Sequence, residues 1–244
     1  MSTSYSPKIV TDGLVLYLDA ANPKSYPGSG TDWYDLSGNN NNVSLNGTGI
    51  TWENGYFSFN GSGDYCKTIN NLNLSSYNSL TITLNIRLKS YDLSNIYVLY
   101  ELGPNFNSYS DCFVASANDN SASQNYECFL AVKGNVGYNN DAWSKTYIND
   151  LNWKNWCAIF DMTITSGKET KLYTNGQNRL SLGVGGYSNN NTSNFGNRIL
   201  YILSRGGTSY FTPCYLSSVQ IYNKVLSDSE ILQNYNSTKG RFGL

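Results

Sequence analysis

The chain contains no histidine in 244 residues. That absence excludes every His-based catalytic triad, every imidazole metal site and every imidazole pH switch. Charge is scarce as well: Asp, Glu, Lys and Arg make up 14% of the residues, and 16 basic against 17 acidic side chains leave a formal net charge of -1. Without a basic run the chain lacks the electrostatic footprint of nucleic-acid binders and membrane-surface proteins, so neither partner is expected. No apolar run approaches the roughly 20 residues of a membrane-spanning helix. The opening MSTSYSPKIV has no charged region ahead of an apolar stretch, which predicts synthesis in the cytosol and a soluble product. The five cysteines, Cys66, Cys112, Cys128, Cys157 and Cys214, form no CxxC pair and are odd in number, so most are expected as reduced core thiols. A Cys112–Cys128 bridge stays open at this level.

What fills the chain instead is neutral and polar: 35 Asn, 31 Ser, 21 Tyr and 22 Gly supply the solubility that charge does not. Period-two patterning runs through it. In LTITLNIRL, Leu80, Ile82, Leu84, Ile86 and Leu88 share one face and Thr81, Thr83, Asn85 and Arg87 the other, which predicts a half-buried antiparallel strand. Similar runs at 13–18, 56–60, 95–100, 111–116, 127–133, 157–164, 170–176, 199–203 and 216–222 are punctuated by Asn, Gly and Ser clusters. The pattern predicts an all-β fold, a two-sheet antiparallel jelly-roll sandwich. Runs 157–164 and 170–176 read as a hairpin, and Asn175-Gly176 as a type I′ turn into a further strand. One short helix is expected near the end, where Ser227-Asp228-Ser229-Glu230 is a capping box, Leu226 and Ile231 form a staple, and Ile231, Leu232 and Tyr235 form the apolar face. Residues 1–8 read as an N-terminal arm and 9–244 as a single sandwich domain.

The order of these elements resembles a known family. The segment GLVLYLDAANPKSYPGSGTDWYDLSGNNNN (13–42) is similar to the opening of the LamG-like, concanavalin A-like lectin/glucanase sandwiches found in virions of tailed bacteriophages. FNGSGDY (59–65), LTITLNIRL, NWCAIFDMT (155–163), KLYTNGQ (171–177) and the closing LSSVQIYNKVLSDSEILQNYNSTKGRFGL (216–244) resemble further family motifs in the same order. The resemblance implies the sandwich fold and a place on a virion. It does not by itself imply activity.

Chemistry is thin in the sequence. Glucanases of this superfamily carry an E-x-D-x-E strand, and this chain has none; its glutamates, Glu53, Glu101, Glu127, Glu169 and Glu230, are scattered. A non-enzymatic protein is expected. Calcium is the one cofactor that oxygen ligands alone could hold, with Asp35 and Asn39 as the first candidate ligands and Asp141 with Asn139 as the second; for Asp35 the alternative is a turn that satisfies loop backbone groups. Sugar binding asks for aromatic faces and amide or carboxylate side chains on loops. Two segments supply both and read as exposed loops, 138–143 with Asn139, Asn140, Asp141 and Trp143, and 185–191 with Tyr187 and Asn189. The expected function is therefore a phage structural protein, a decoration, head-fibre or tail-associated subunit. Its expected partners are other capsid or tail proteins, copies of itself and host-surface glycans. A free lectin module is the alternative, and a glycan hydrolase the third reading.

Overall fold

The computed structural model describes residues 8–90, 95–118, 128–134, 142–146, 151–164, 170–178 and 193–243. Two antiparallel sheets, each of eight strands among these residues, face one another. The back sheet runs Gln177–Asn178, Thr170–Thr174, Lys154–Asp161, Ser79–Leu88, Pro213–Tyr222, Tyr56–Asn60, Thr51–Glu53, with Leu14–Asp19 also paired to Pro213–Tyr222. The front sheet runs Ala142–Thr146, Cys128–Lys133, Cys112–Asn118, Tyr97–Leu102, Leu200–Ile202, Tyr65–Thr68, Val43–Asn46, Asp32–Trp33. This is the two-sheet sandwich that the alternating pattern predicts.

The core lies between the sheets because one side chain in two points inward along each strand. Leu80, Ile82, Leu84 and Ile86 from the back sheet meet Val98, Tyr100, Leu102, Phe113 and Ala115 from the front. Aromatic rings bridge the layers, with Phe113 stacked at 5.1 Å on Phe160 and Tyr100 edge-on to both. At the other end Phe57 sits among Tyr26, Trp33 and Phe59. Trp33 is thus a core residue, whereas Tyr34 and Trp52 are about two-fifths exposed, Trp52 donating from Nε1 to the Ala20 carbonyl.

The strand Ser79–Leu88 departs from the half-buried expectation, since Thr81, Thr83 and Asn85 are buried too. It is central in its sheet, and its outward face is covered by a second, smaller cluster in which Leu226 and Ile231 of the C-terminal region pack on Cys157, Ile159, Tyr173 and Tyr222. Polar side chains survive there because they pair. Thr81 Oγ1 donates to the Lys224 carbonyl and accepts from Leu226 N–H, and Asn85 links Asn155 to Ser218 across three strands.

The helix Asp228–Thr238 has the predicted capping box, with the Ser227 hydroxyl accepting from Glu230 N–H and the Glu230 carboxylate accepting from Ser227 N–H. Its buried stripe is Ile231, Asn234 and Thr238 rather than Ile231, Leu232 and Tyr235. The amide of Asn234 explains the difference: its Oδ1 accepts from Val10 N–H and its Nδ2 donates to Tyr222 Oη, so a polar residue occupies the inner face while Leu232 stays exposed. Leu232 and Tyr235 instead lie over the Asn175-Gly176 turn. Both turn residues have positive φ, 53° and 72°, as a type I′ hairpin requires, and a Cβ on Gly176 would come within 3.0 Å of Leu232. Beyond the helix, Arg241 pairs with buried Asp19 and Phe242 stacks on Trp153 at 4.6 Å, so the KGRF segment is fastened across the outside of the back sheet.

One open alternative closes. The ladder pairs Cys112 with Lys133 and Ser116 with Phe129, which places Cys112 and Cys128 near opposite ends of their hairpin. At roughly 3.3 Å of rise per residue that separation is far beyond disulfide reach, and Cys112 is a buried thiol.

Candidate functional site

The outward face of the front sheet carries a set of solvent-facing rings and cations. Strand alternation puts it there. Tyr65 and Lys67 face out while Cys66 and Thr68 face in, and Tyr201 faces out while Leu200 and Ile202 face the core. The register sets Tyr201 beside Lys67 on one side and Glu101 on the other. Tyr65 lies 6.5 Å from Tyr201 and 6.2 Å from Phe211, centroid to centroid. Tyr109 and Tyr210, 37% and 40% exposed, extend the surface from two loops, with the Arg198 guanidinium 4.7 Å over Tyr109 and that of Arg205 5.0 Å over Tyr210. Burial, together with the nearby phenols of Tyr65 and Tyr109, raises the Tyr201 pKa, so this hydroxyl stays a hydrogen-bond donor across the physiological range.

The loop 203–211 that brings Phe211 and Tyr210 to this face is held in an uncommon backbone conformation. Leu203 and Tyr210 adopt positive φ, 66° and 54°, outside the ordinary range of L residues. It persists because its polar groups are tied down: Arg205 N–H donates to the Ser209 carbonyl, Gly207 N–H to Ser204 Oγ, and Thr212 Oγ1 to the Val98 carbonyl. Gly207 passes so close to Tyr65 that a Cβ would come within 2.6 Å of the ring. Such strain, held by the surrounding structure, is a frequent mark of a functional surface.

Beneath the rings lies Glu101, fully buried. One carboxylate oxygen accepts from Phe106 N–H, and the other accepts from Arg205 Nε at 3.0 Å. Desolvation raises the Glu101 pKa above its ordinary value despite the opposing pull of Arg205 and of the Phe106 N–H. A raised folded-state pKa means the folded protein holds the proton more tightly than the unfolded chain. The resulting stabilisation is complete below the ordinary glutamate value of about 4.5 and is lost as pH rises through the raised one. Urea denaturation of the wild type and Glu101→Gln between pH 7 and pH 4.5 should therefore show the wild type gaining on the variant as pH falls. A pH-independent difference would place Glu101 in an ordinary solvated setting.

The residues named from sequence fall elsewhere or outside the description. Asn139, Asn140, Asp141, Tyr187 and Asn189 lie outside the described residues. Trp143 belongs to the strand Ala142–Thr146 rather than to a loop, and through Ala131 and Val114 it shares a cross-strand row with Glu101. Asp35 sits at the hub of a turn. Its Oδ1 accepts from Tyr17 N–H and Ser37 N–H, and its Oδ2 from Ser37 Oγ and Asn41 N–H, at 2.7–3.0 Å. Asn39 donates from its amide to the Leu14 and Val15 carbonyls. A calcium ion at Asp35 would have to displace these donors, because the same lone pairs serve both. Among the described residues no three Asp, Glu or Cys side chains gather in one cluster. The front-sheet set of Tyr65, Tyr109, Tyr201, Tyr210, Arg198 and Arg205 was missed because it comes from three stretches of sequence, at 65, 109 and 198–210. The one signal in the sequence is Glu101, a charge inside an apolar strand.

The sequence profile described as the concanavalin A-like lectin/glucanases superfamily matches residues 60–232. None of the curated proteins matches the chain. Among solved structures, the chain is similar to the receptor-binding domain of the botulinum neurotoxin C/D mosaic serotype, with a TM-score of 0.62 and 16% identity over 93% of this chain and 51% of that one. It is also similar to the ligand-binding domain of botulinum neurotoxin serotype D solved with N-acetylneuraminic acid, TM-score 0.60 and 16% identity over 93% and 51%. A sialidase of Trypanosoma rangeli gives 0.63 and 14% over 94% and 33%. The chain spans about half of the toxin domains and a third of the sialidase, and at such identities the likeness is one of fold.

Proposed function

Because the chain belongs to the concanavalin A-like lectin/glucanase superfamily, we propose that it is a non-enzymatic, lectin-like sandwich that binds a glycan through the outward face of its front sheet. The observation that carries this reading is the continuous set of rings Phe211, Tyr65 and Tyr201, flanked by Tyr109, Tyr210, Arg198 and Arg205. Tyrosine faces stack on the C–H patches of sugar rings, and guanidinium and phenol donors meet hydroxyls. Against hydrolysis by Glu101 stands its burial, since at 0% exposure the carboxyl group does not reach a ligand on this face. A glycosidase needs a carboxyl group able to pass a proton to its substrate.

The finer part of the proposal is that the module is a structural component of a phage particle, a decoration, head-fibre or tail-associated subunit, meeting host glycans there. Support comes from the ordered motifs of the sequence, including the closing KGRF segment. That segment has a physical task here, because Arg241 and Phe242 hold it against the back sheet. A free lectin module is the second reading, favoured by the ring surface alone.

The test has two parts. A glycan array should show binding by the wild type that falls about tenfold in Tyr201→Ala, the cost of one stacking ring; unchanged binding would remove this face as the site. Mass spectrometry and immunogold labelling of purified particles should find stoichiometric, surface-placed copies, and their absence would leave the free lectin.

A further inference from the structure

On the opposite side of the sandwich, a cleft of 460 Å³ opens between the N-terminal segment, the strand Leu14–Asp19 and the end of the C-terminal helix. Its size falls in the usual range of small-molecule sites. Lys8 and Arg241 bring two cations to it, Ile9 and Leu36 an apolar wall, and Tyr17 and Asn22 neutral polar groups. None of its lining residues is acidic. Two carboxylates contact the set: Asp19, which is 1% exposed behind Arg241, and Asp35, whose oxygens are taken up by Tyr17 N–H, Ser37 and Asn41 N–H.

The pairing inside the cleft narrows the ligand. Asp19 takes both its bonds to the guanidinium from Nη1, at 2.8 Å each. It also accepts from the Tyr17 hydroxyl at 3.1 Å and from Ala21 N–H. One edge of Arg241 is thereby fixed in place, and among the described residues no hydrogen bond takes the other edge, Nε and Nη2. A guanidinium edge held rigid by a buried partner is a planar two-donor fork, matched by a carboxylate. Lys8 adds the charge that Asp19 does not cancel, and its backbone is pinned by the bond from Gln233 Nε2 to its carbonyl.

We propose that this cleft binds a small organic carboxylate of monosaccharide size, such as a uronic acid, with its carboxylate on the free edge of Arg241 and on Lys8 and its body against Ile9 and Leu36. The site is separate from the front-sheet face and does not depend on it.

Titration of the full chain with sodium glucuronate, D-glucose and inorganic phosphate, followed by amide chemical shifts, tests this. Glucuronate should shift resonances of residues 8–11, 17–22 and 237–241. D-Glucose and phosphate should each bind about tenfold more weakly, one for want of the charge and the other for want of the body. Lys8→Glu, at an exposed position that spares the fold, should weaken glucuronate by at least about tenfold, and Leu36→Trp should block it by filling the wall. Tyr201→Ala should leave it unchanged, which separates this site from the glycan face. Equal binding of glucose or phosphate, indifference to Lys8→Glu, or no shift in these residues would overturn the proposal.

Discussion

Phe57→Ala is expected to destabilise the sandwich by about 3–5 kcal/mol, the range for deleting a buried ring that its surroundings cannot collapse upon. Phe57 is fully buried, with Tyr26 at 4.7 Å, Trp33 at 4.9 Å and Phe59 at 6.3 Å. Its strand is laddered on both sides, to Pro213–Tyr222 and to Thr51–Glu53, so the backbone cannot move in to fill the gap. Urea denaturation gives the free energy directly, and thermal unfolding should show a fall in Tm on the order of 10 °C. Phe57→Leu keeps most of the volume and should lose only about 1–2 kcal/mol. A loss below about 1 kcal/mol for the alanine variant would contradict a close-packed aromatic cluster at this end of the core.

The second large effect concerns Asp64, which is 1% exposed in the FNGSGDY segment. Its Oδ1 accepts from Gly49 N–H at 3.0 Å and its Oδ2 from Asn60 N–H at 3.1 Å, so one carboxylate fastens two loops together. The loops close around it so tightly that a Cβ on Gly47 would fall 2.3 Å from Oδ1 and one on Gly49 2.7 Å from Oδ2. Asp64→Ala leaves two N–H groups without an acceptor in a space shaped for oxygen, and should cost about 2–4 kcal/mol. Asp64→Asn retains one acceptor and should cost about half as much. Comparison of the two variants by urea denaturation checks the assignment, and equal losses would show that charge rather than acceptor count holds the loops. This arrangement gives the aspartate of that motif a structural task.

The sandwich was legible because LTITLNIRL alternates and further short strand-like runs recur between turn clusters, and the I′ turn because Asn and Gly tolerate both left-handed positions easily. The capping box was legible because it is local. Burial was harder to read. Thr81, Thr83 and Asn85 look like a wet face until a helix more than 140 residues later in the chain covers them, and Leu232 looks like a core residue until Asn234 takes the inner position by bonding Val10 and Tyr222. The candidate site was least legible. Aromatic and amide residues adjacent in sequence, at 138–143, attract attention, yet Trp143 lies on a strand. Tyr65, Tyr109, Tyr201 and Tyr210 become one surface only through pairing of strands and loops that are distant in the chain.

The seams at the two ends of the described chain give the sandwich a polarity. Val10 is bonded to Asn234, the strand Leu14–Asp19 is laddered to Pro213–Tyr222, and Arg241 and Phe242 are fixed to Asp19 and Trp153, all on the outside of the back sheet. The rings of Tyr65 and Tyr201 are on the outside of the front sheet, a full sandwich thickness away. Val10, Arg241 and Phe242 are therefore held on one side of the sandwich, and the rings of Tyr65, Tyr201 and Phe211 look outward from the other.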